Sequence, residues 1–326
     1  MYLTRNGGRS WVSLSPKTLG SQDMGWTSSP GARELAISFA DGGQNALIIP
    51  KWASAARWVK QHVHGHIVIS TDAGRTWSSE PFVPGKSPGA ISFLNGRRGF
   101  VLGFTAASHH DPRASLYETR DGARTWTRVA AVPFTGMLSF ANARYGLGGG
   151  QQPGAGLVDG AAIYRTSDGG RSWKRTPLCG MHGPACGSPY LFPSGRGVVL
   201  ATAGTQQSDG APTRVEVYTT RNNGVSWTKH ILPDTPRLTS DQEYIPFSAP
   251  DANDLFAWVT PYLYASHDGG RSWSRYAEPV LNPLGLQPVF TNIAFANARY
   301  GWYSTLSVFA YTTDGGRHWT KFRQTR

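Results

Sequence analysis

An eight-residue string recurs seven times along the 326-residue chain. The copies are Thr4-Arg-Asn-Gly-Gly-Arg-Ser-Trp11, Ser70-Thr-Asp-Ala-Gly-Arg-Thr-Trp77, Thr119-Arg-Asp-Gly-Ala-Arg-Thr-Trp126, Thr166-Ser-Asp-Gly-Gly-Arg-Ser-Trp173, Thr220-Arg-Asn-Asn-Gly-Val-Ser-Trp227, Ser266-His-Asp-Gly-Gly-Arg-Ser-Trp273 and Thr312-Thr-Asp-Gly-Gly-Arg-His-Trp319. The closing tryptophans lie 46 to 66 residues apart. A repeat with this period has to be one supersecondary unit that buries its apolar face on its neighbours.

The chemistry of the octet is that of a hairpin turn. An Asp carboxylate, or the Asn6 and Asn222 amides, can accept backbone N–H groups of its own turn. The glycines supply positive φ where the chain reverses, and the tryptophan opens the outgoing strand with a large ring to bury. The acids Asp72, Asp121, Asp168, Asp268 and Asp314 therefore read as structural. An octet offers too few oxygen ligands for a calcium loop.

A second element, strand–polar turn–strand, precedes each octet except the first. Leu138-Ser-Phe-Ala-Asn-Ala-Arg-Tyr-Gly-Leu147 and Ile293-Ala-Phe-Ala-Asn-Ala-Arg-Tyr-Gly-Trp302 show it most clearly. One repeat thus runs strand, turn, strand, loop, strand, octet, strand, the length and content of a four-stranded propeller blade. The expected fold is all-β, a single seven-bladed β-propeller over 1–326. Its blades cover approximately 1–14 (partial), 35–80, 89–130, 136–176, 189–231, 245–276 and 291–323. The first blade is incomplete, and nothing after Trp319-Thr-Lys-Phe322 supplies its two missing strands. The expectation is an N-terminus truncated relative to the natural protein, which also accounts for the lack of a visible leader.

The octet is similar to the Asp-box (BNR repeat) of sialidases, xyloglucanase-type glycosidases, sortilin-type modules and photosystem II assembly-factor-like propellers. The resemblance covers the whole chain. Phe-Ala-Asn-Ala-Arg-Tyr-Gly-Trp followed by Asp-Gly-Gly-x-x-Trp most resembles the assembly-factor-like group, which implies a binding or scaffolding module. A sialidase would carry Arg-Ile-Pro. Here the nearest strings are Ile48-Ile-Pro50 and Tyr244-Ile-Pro246, without the arginine. The alternative is a glycoside hydrolase, which needs two carboxyl groups flanking the bond. Loop candidates for that pair are Asp111, Asp159, Asp209, Asp241 and Glu243, and none is assigned as catalytic.

In such a blade the 1–2 and 3–4 turns share one face, and the 2–3 and 4–1 loops share the other. Binding residues concentrate on variable loops, so the second face is the expected binding face for a protein, peptide or glycan. Its candidates are Trp52, Arg57, Trp58, His62, His64, His109, His110, Arg113 and Tyr244. His62-x-His64-x-His66 puts three imidazoles on one side of an extended segment, yet a polar loop explains them as well. No metal site and no cofactor is assigned.

Composition narrows the rest. Gly 39, Pro 22 and only 16% charged residues suit short strands and tight turns. The net charge of +12 is scattered, with six arginines at one position of the octet and no basic run resembling a nucleic-acid arm. Nucleic acid is therefore not an expected partner. No apolar stretch is long enough to cross a membrane as a helix. Cys179 and Cys186 lie in a Gly/Pro-rich loop whose spacing suits a disulfide, and that suits a secreted or cell-envelope protein. The expected state is a monomer.

Overall fold

The computed structural model describes residues 2–3, 12–13, 35–40, 45–50, 66–71, 76, 78–84, 86–105, 114–150, 162–179, 185–204, 213–236, 238, 245–277, 292–304 and 309–321. All regular structure among them is β, with no helix. The chain packs as two compact units. One holds Met1–Leu3, Ser13–Gly149 and Gly154–Thr176, and the other Thr4–Val12, Gly150–Pro153 and Pro177–Arg326.

The first unit contains three four-stranded antiparallel meanders. They are Leu35–Ala40, Asn45–Pro50, His66–Ser70 and Ser78–Pro81; Lys86–Phe93, Gly99–Thr105, Ala114–Thr119 and Thr127–Val132; and Met137–Phe140, Gly146–Gly149, Ile163–Thr166 and Lys174–Arg175. The second unit contains three more sheets. Tyr190–Leu191, Gly197–Ala203, Arg214–Thr220 and Thr228–Ile231 form a meander, and Ala185–Cys186 adds a fifth strand beside Thr202 and Ala201. Phe247–Ser248, Leu255–Val259, Tyr262–Ser266 and Ser274–Ala277 form the next. Asn292–Phe295, Gly301–Ser304, Phe309–Thr312 and Thr320–Lys321 form the last. A two-stranded sheet joins Tyr2–Leu3 to Val12–Ser13 around the first octet.

Burial grades across each meander. The second strands are apolar runs buried on both faces, as in Gly197-Val-Val-Leu-Ala-Thr-Ala203 and Leu255-Phe-Ala-Trp-Val259. The fourth strands are polar and exposed, as in Thr228-Lys-His-Ile231 and Ser274-Arg-Tyr-Ala277. The cores therefore lie between neighbouring sheets. In the first unit Phe100 stacks on Phe140 of the next sheet, with centroids 3.8 Å apart. In the second, Phe256 stacks on Phe295 at 3.6 Å. A serine on the first strand reinforces each junction. Ser92 Oγ accepts the Phe140 N–H and Ser248 Oγ accepts the Phe295 N–H, both at 2.9 Å.

The glycine that opens the second strand of the sheets at Gly146 and Gly301 has a packing reason. Gly146 pairs with Phe140 and Gly301 with Phe295. A Cβ on Gly301 would stand 2.5 Å from the Phe295 ring, and one on Gly146 2.8 Å from that of Phe140. The ring lies flat over the bare backbone, where the octet's tryptophan meets it edge-on, with Trp173 6.0 Å from Phe140 and Trp319 6.1 Å from Phe295.

Candidate functional site

The octet turns come first, because they supply walls of the groove described below. In the third octet the Thr119 hydroxyl donates to Asp121 Oδ1 at 2.8 Å and accepts the Ala123 N–H at 2.9 Å. Asp121 Oδ1 also accepts the Thr125 N–H at 2.9 Å, and Oδ2 accepts the Thr125 hydroxyl at 2.5 Å. Asp168 and Asp268 repeat this pattern with Ser172 and Ser272. In the seventh octet His318 replaces the hydroxyl residue, and its Nδ1 lies 2.6 Å from Asp314 Oδ2.

Every carboxylate oxygen is thus occupied within its own turn, and the acidities follow. The Thr125 hydroxyl leads the donors that hold Asp121 at about 2. Burial raises Asp168, but the Ser172 hydroxyl and backbone donors outweigh it and hold this carboxyl at about 2. Asp268 and Asp314 also lie below the ordinary carboxylate range, because their turn donors outweigh burial. Carboxylates so committed are poor general acids.

The reversal itself uses two successive residues at positive φ, such as Gly269 and Gly270 at 77° and 86°. Each of the five described octet turns is bonded to the 1–2 turn of its own sheet. Gly122 N–H reaches Arg97 O, Gly169 reaches Arg144 O, Asn223 reaches Gly195 O, Gly269 reaches Asn253 O and Gly315 reaches Arg299 O, all at 2.9 Å. The two kinds of turn therefore share one face, as the blade layout requires. The tryptophan indoles of Trp173, Trp227, Trp273 and Trp319 close the turns by donating to the glycine carbonyls at 3.0–3.2 Å. Ala123 takes that glycine position in the third octet at φ 70°, and Trp126 Nε1 has no acceptor among the described residues. Asn6, Trp11, Asp72 and Trp77 lie outside the described residues.

On this face, between two neighbouring sheets of the second unit, runs a groove of about 350 Å³. Its apolar floor includes Phe192, Val198 and Leu255. Its polar lining includes Arg196, Arg221, Arg271, Ser226, Thr228 and His230, with no carboxylate. The 1–2 turn supplies Arg196, whose Nη1 donates to Asn253 Oδ1 of the next sheet at 2.6 Å. Its guanidinium lies against Gly269, where any Cβ would collide with it. Arg221 and Arg271 come from successive octet turns and are exposed. Three guanidinium groups and no carboxylate line the groove, although Arg196 also acts on nearby Asp251, whose pKa it helps to lower against burial; guanidinium groups suit a planar carboxylate in particular.

Trp52, Arg57, Trp58, His62, His64, His109, His110, Arg113 and Tyr244 all lie outside the described residues. So do Asp111, Asp159, Asp209, Asp241 and Glu243. No group of three metal-ligating side chains occurs among the described residues. Cys179 and Cys186 are bonded, with Cα atoms 5.9 Å apart. The groove arginines were missed because the sequence reading set the octet face aside. Only Arg271 stands at the recurrent arginine position of the octet; Arg221 takes the second position of an octet that has Val225 there, and Arg196 belongs to a 1–2 turn, so no repeated signal joins the three.

A buried acid bears on the hydrolytic alternative. Glu216 is 1% exposed and accepts the Tyr218 hydroxyl at 2.5 Å and Arg214 Nε at 2.8 Å, with Lys229 Nζ at 3.5 Å. Burial opposes ionisation of Glu216, but Tyr218, Arg214 and Lys229 outweigh it and its pKa falls. Burial and the Glu216 carboxylate push the Tyr218 phenol up. A phenol held protonated beside a weakened base is the reverse of an activated nucleophile; Glu216 and Tyr218 share one strand, and among the described residues only Lys229 links the acid to the next.

No protein-family model matches the chain, and no curated protein matches it. Solved structures do. YCF48 bound to D1 peptide is 18% identical with a TM-score of 0.55, over 90% of this chain and 83% of that one. YCF48 from Cyanidioschyzon merolae is 16% identical with a TM-score of 0.54, over 90% and 86%. The Hadza microbial sialidase Hz136 is 14% identical with a TM-score of 0.47, over 85% and 58%, and bears on nothing further. With the successive four-stranded meanders, the two YCF48 structures define the fold as a β-propeller. At these identities the likeness extends to the fold alone.

Proposed function

We propose that this chain is a non-enzymatic binding propeller that takes a carboxylate-bearing segment of a partner protein in the Arg196–Arg221–Arg271 groove. The observation that carries the reading is a groove walled by three arginines and by no acid. The peptide in one of the YCF48 structures is in keeping with it. The seven octets support a seven-bladed arrangement, and the Cys179–Cys186 bond supports a secreted or cell-envelope location. The loop face remains a second candidate surface.

The test is fluorescence anisotropy with fluorescein-labelled hexaglutamate at low salt, with hexaglutamine as the uncharged control. The acidic peptide should bind, and rising salt should weaken it. Replacing both Arg221 and Arg271 with Gln should weaken it about tenfold or more, the scale of one lost charge-assisted hydrogen bond. No binding at low salt, or binding that ignores the double substitution, would overturn the proposal.

A further inference from the structure

The fifth octet borders the groove, and like the first it departs from the other five at the residue that defines them. Asn222 stands where the third, fourth, sixth and seventh octets have Asp. Asn222 Oδ1 accepts the Ser226 N–H at 2.9 Å and the Thr220 hydroxyl at 3.0 Å. Those two donors fix the amide orientation, because a flipped amide would set NH₂ against N–H. The Nδ2 group must then face Ser226, and it donates to Ser226 Oγ at 2.8 Å.

That bond runs opposite to its counterparts. Thr125, Ser172 and Ser272 donate their hydroxyl hydrogens to the Asp carboxylate. Ser226 instead accepts, so its own O–H is left to donate. No acceptor for that hydrogen occurs among the described residues, and Ser226 lines the arginine groove together with Arg221. The same replacement removes a negative charge from a turn that flanks the three guanidinium groups.

We infer that the fifth octet is a turn converted into part of an anion site, in which Asn222 sets Ser226 to donate to the carboxylate held by Arg196, Arg221 and Arg271. Asn222 is a positioning residue and Ser226 a contact residue, and the two together set the groove's selectivity for a negative ligand. The inference rests on the function proposed above.

Two variants separate it from that reading, with fluorescein-labelled hexaglutamate as the probe. Asn222→Asp restores the residue of five of the other octets, so its melting temperature should be no lower than that of the unchanged protein. The Ser226 hydroxyl should then turn to the new carboxylate, and affinity should fall about tenfold through a lost donor and an added like charge. Ser226→Ala should lower affinity about fivefold, in line with loss of one hydrogen bond to a charged group. Ser172→Ala, in an octet away from the groove, should leave affinity unchanged. If the unchanged protein binds and the Arg221/Arg271 double variant weakens, but Asn222→Asp and Ser226→Ala bind like the unchanged protein, this inference is overturned and the groove stands. If the unchanged protein does not bind, both fall. If Asn222→Asp fails to fold, Ser226→Ala alone decides.

Discussion

At the scale of the residue, the octet is a set of side chains that satisfy one turn, and the natural replacements show which property each position needs. Asn222 keeps the acceptor for the residue-226 N–H without the charge, and His318 keeps a donor to Asp314 without a hydroxyl. The charge has a separate consequence. Asp121 and Asp168 titrate at about 2 against an ordinary 3.8. A depressed folded pKa contributes stability that is fully present above the unfolded value and is lost as pH falls through the folded one. These turns should therefore weaken between about pH 4 and pH 2, and melting temperatures followed across that range should show it. The variant Asp121→Asn should start less stable at neutral pH and lose less on acidification. An acid limb as steep as that of the unchanged protein would disprove the assignment. All of this was legible in the sequence, because each contact joins residues two to four apart.

At the scale of the element, a strand's place in its meander sets what it can carry. Leu255–Val259 has neighbours on both sides and on both faces, so it is apolar throughout, whereas Ser274–Ala277 closes its sheet and is polar. Apolar runs and their turns were legible as strands. The reason for the glycine in Tyr300-Gly-Trp302 was not, because it is a ring from the paired strand. Gly301→Ala should cost about 1–3 kcal/mol through overpacking against Phe295, read as a lower midpoint in urea denaturation. A shift below about 0.5 kcal/mol, the range of an indifferent surface change, would refute the contact. The strand Ala185–Cys186 was also not legible. Its two residues have no alternation of their own, and their partners Thr202 and Ala201 are set by the fold.

At the scale of the whole molecule, repetition is the organising fact. Seven octets should give seven blades, and projection images along the propeller axis count them directly. Six or eight blades would break the link between octet and blade. The described residues form two compact units, each with three meanders of four or more strands and cores between adjacent sheets. The groove shows what repetition hides. Arg196, Arg221 and Arg271 are tens of residues apart, on turns of different kinds in two neighbouring sheets.

By itself, the sequence determined the β class, the turn chemistry and the order of strands, because hairpins are closed by neighbours along the chain and strands are selected by local apolar patterning. Only the tertiary structure decided which turns face one another across a sheet boundary. A groove lined by arginines and by no carboxylate depends on that placement, since it decides which side chains of neighbouring turns border the same space.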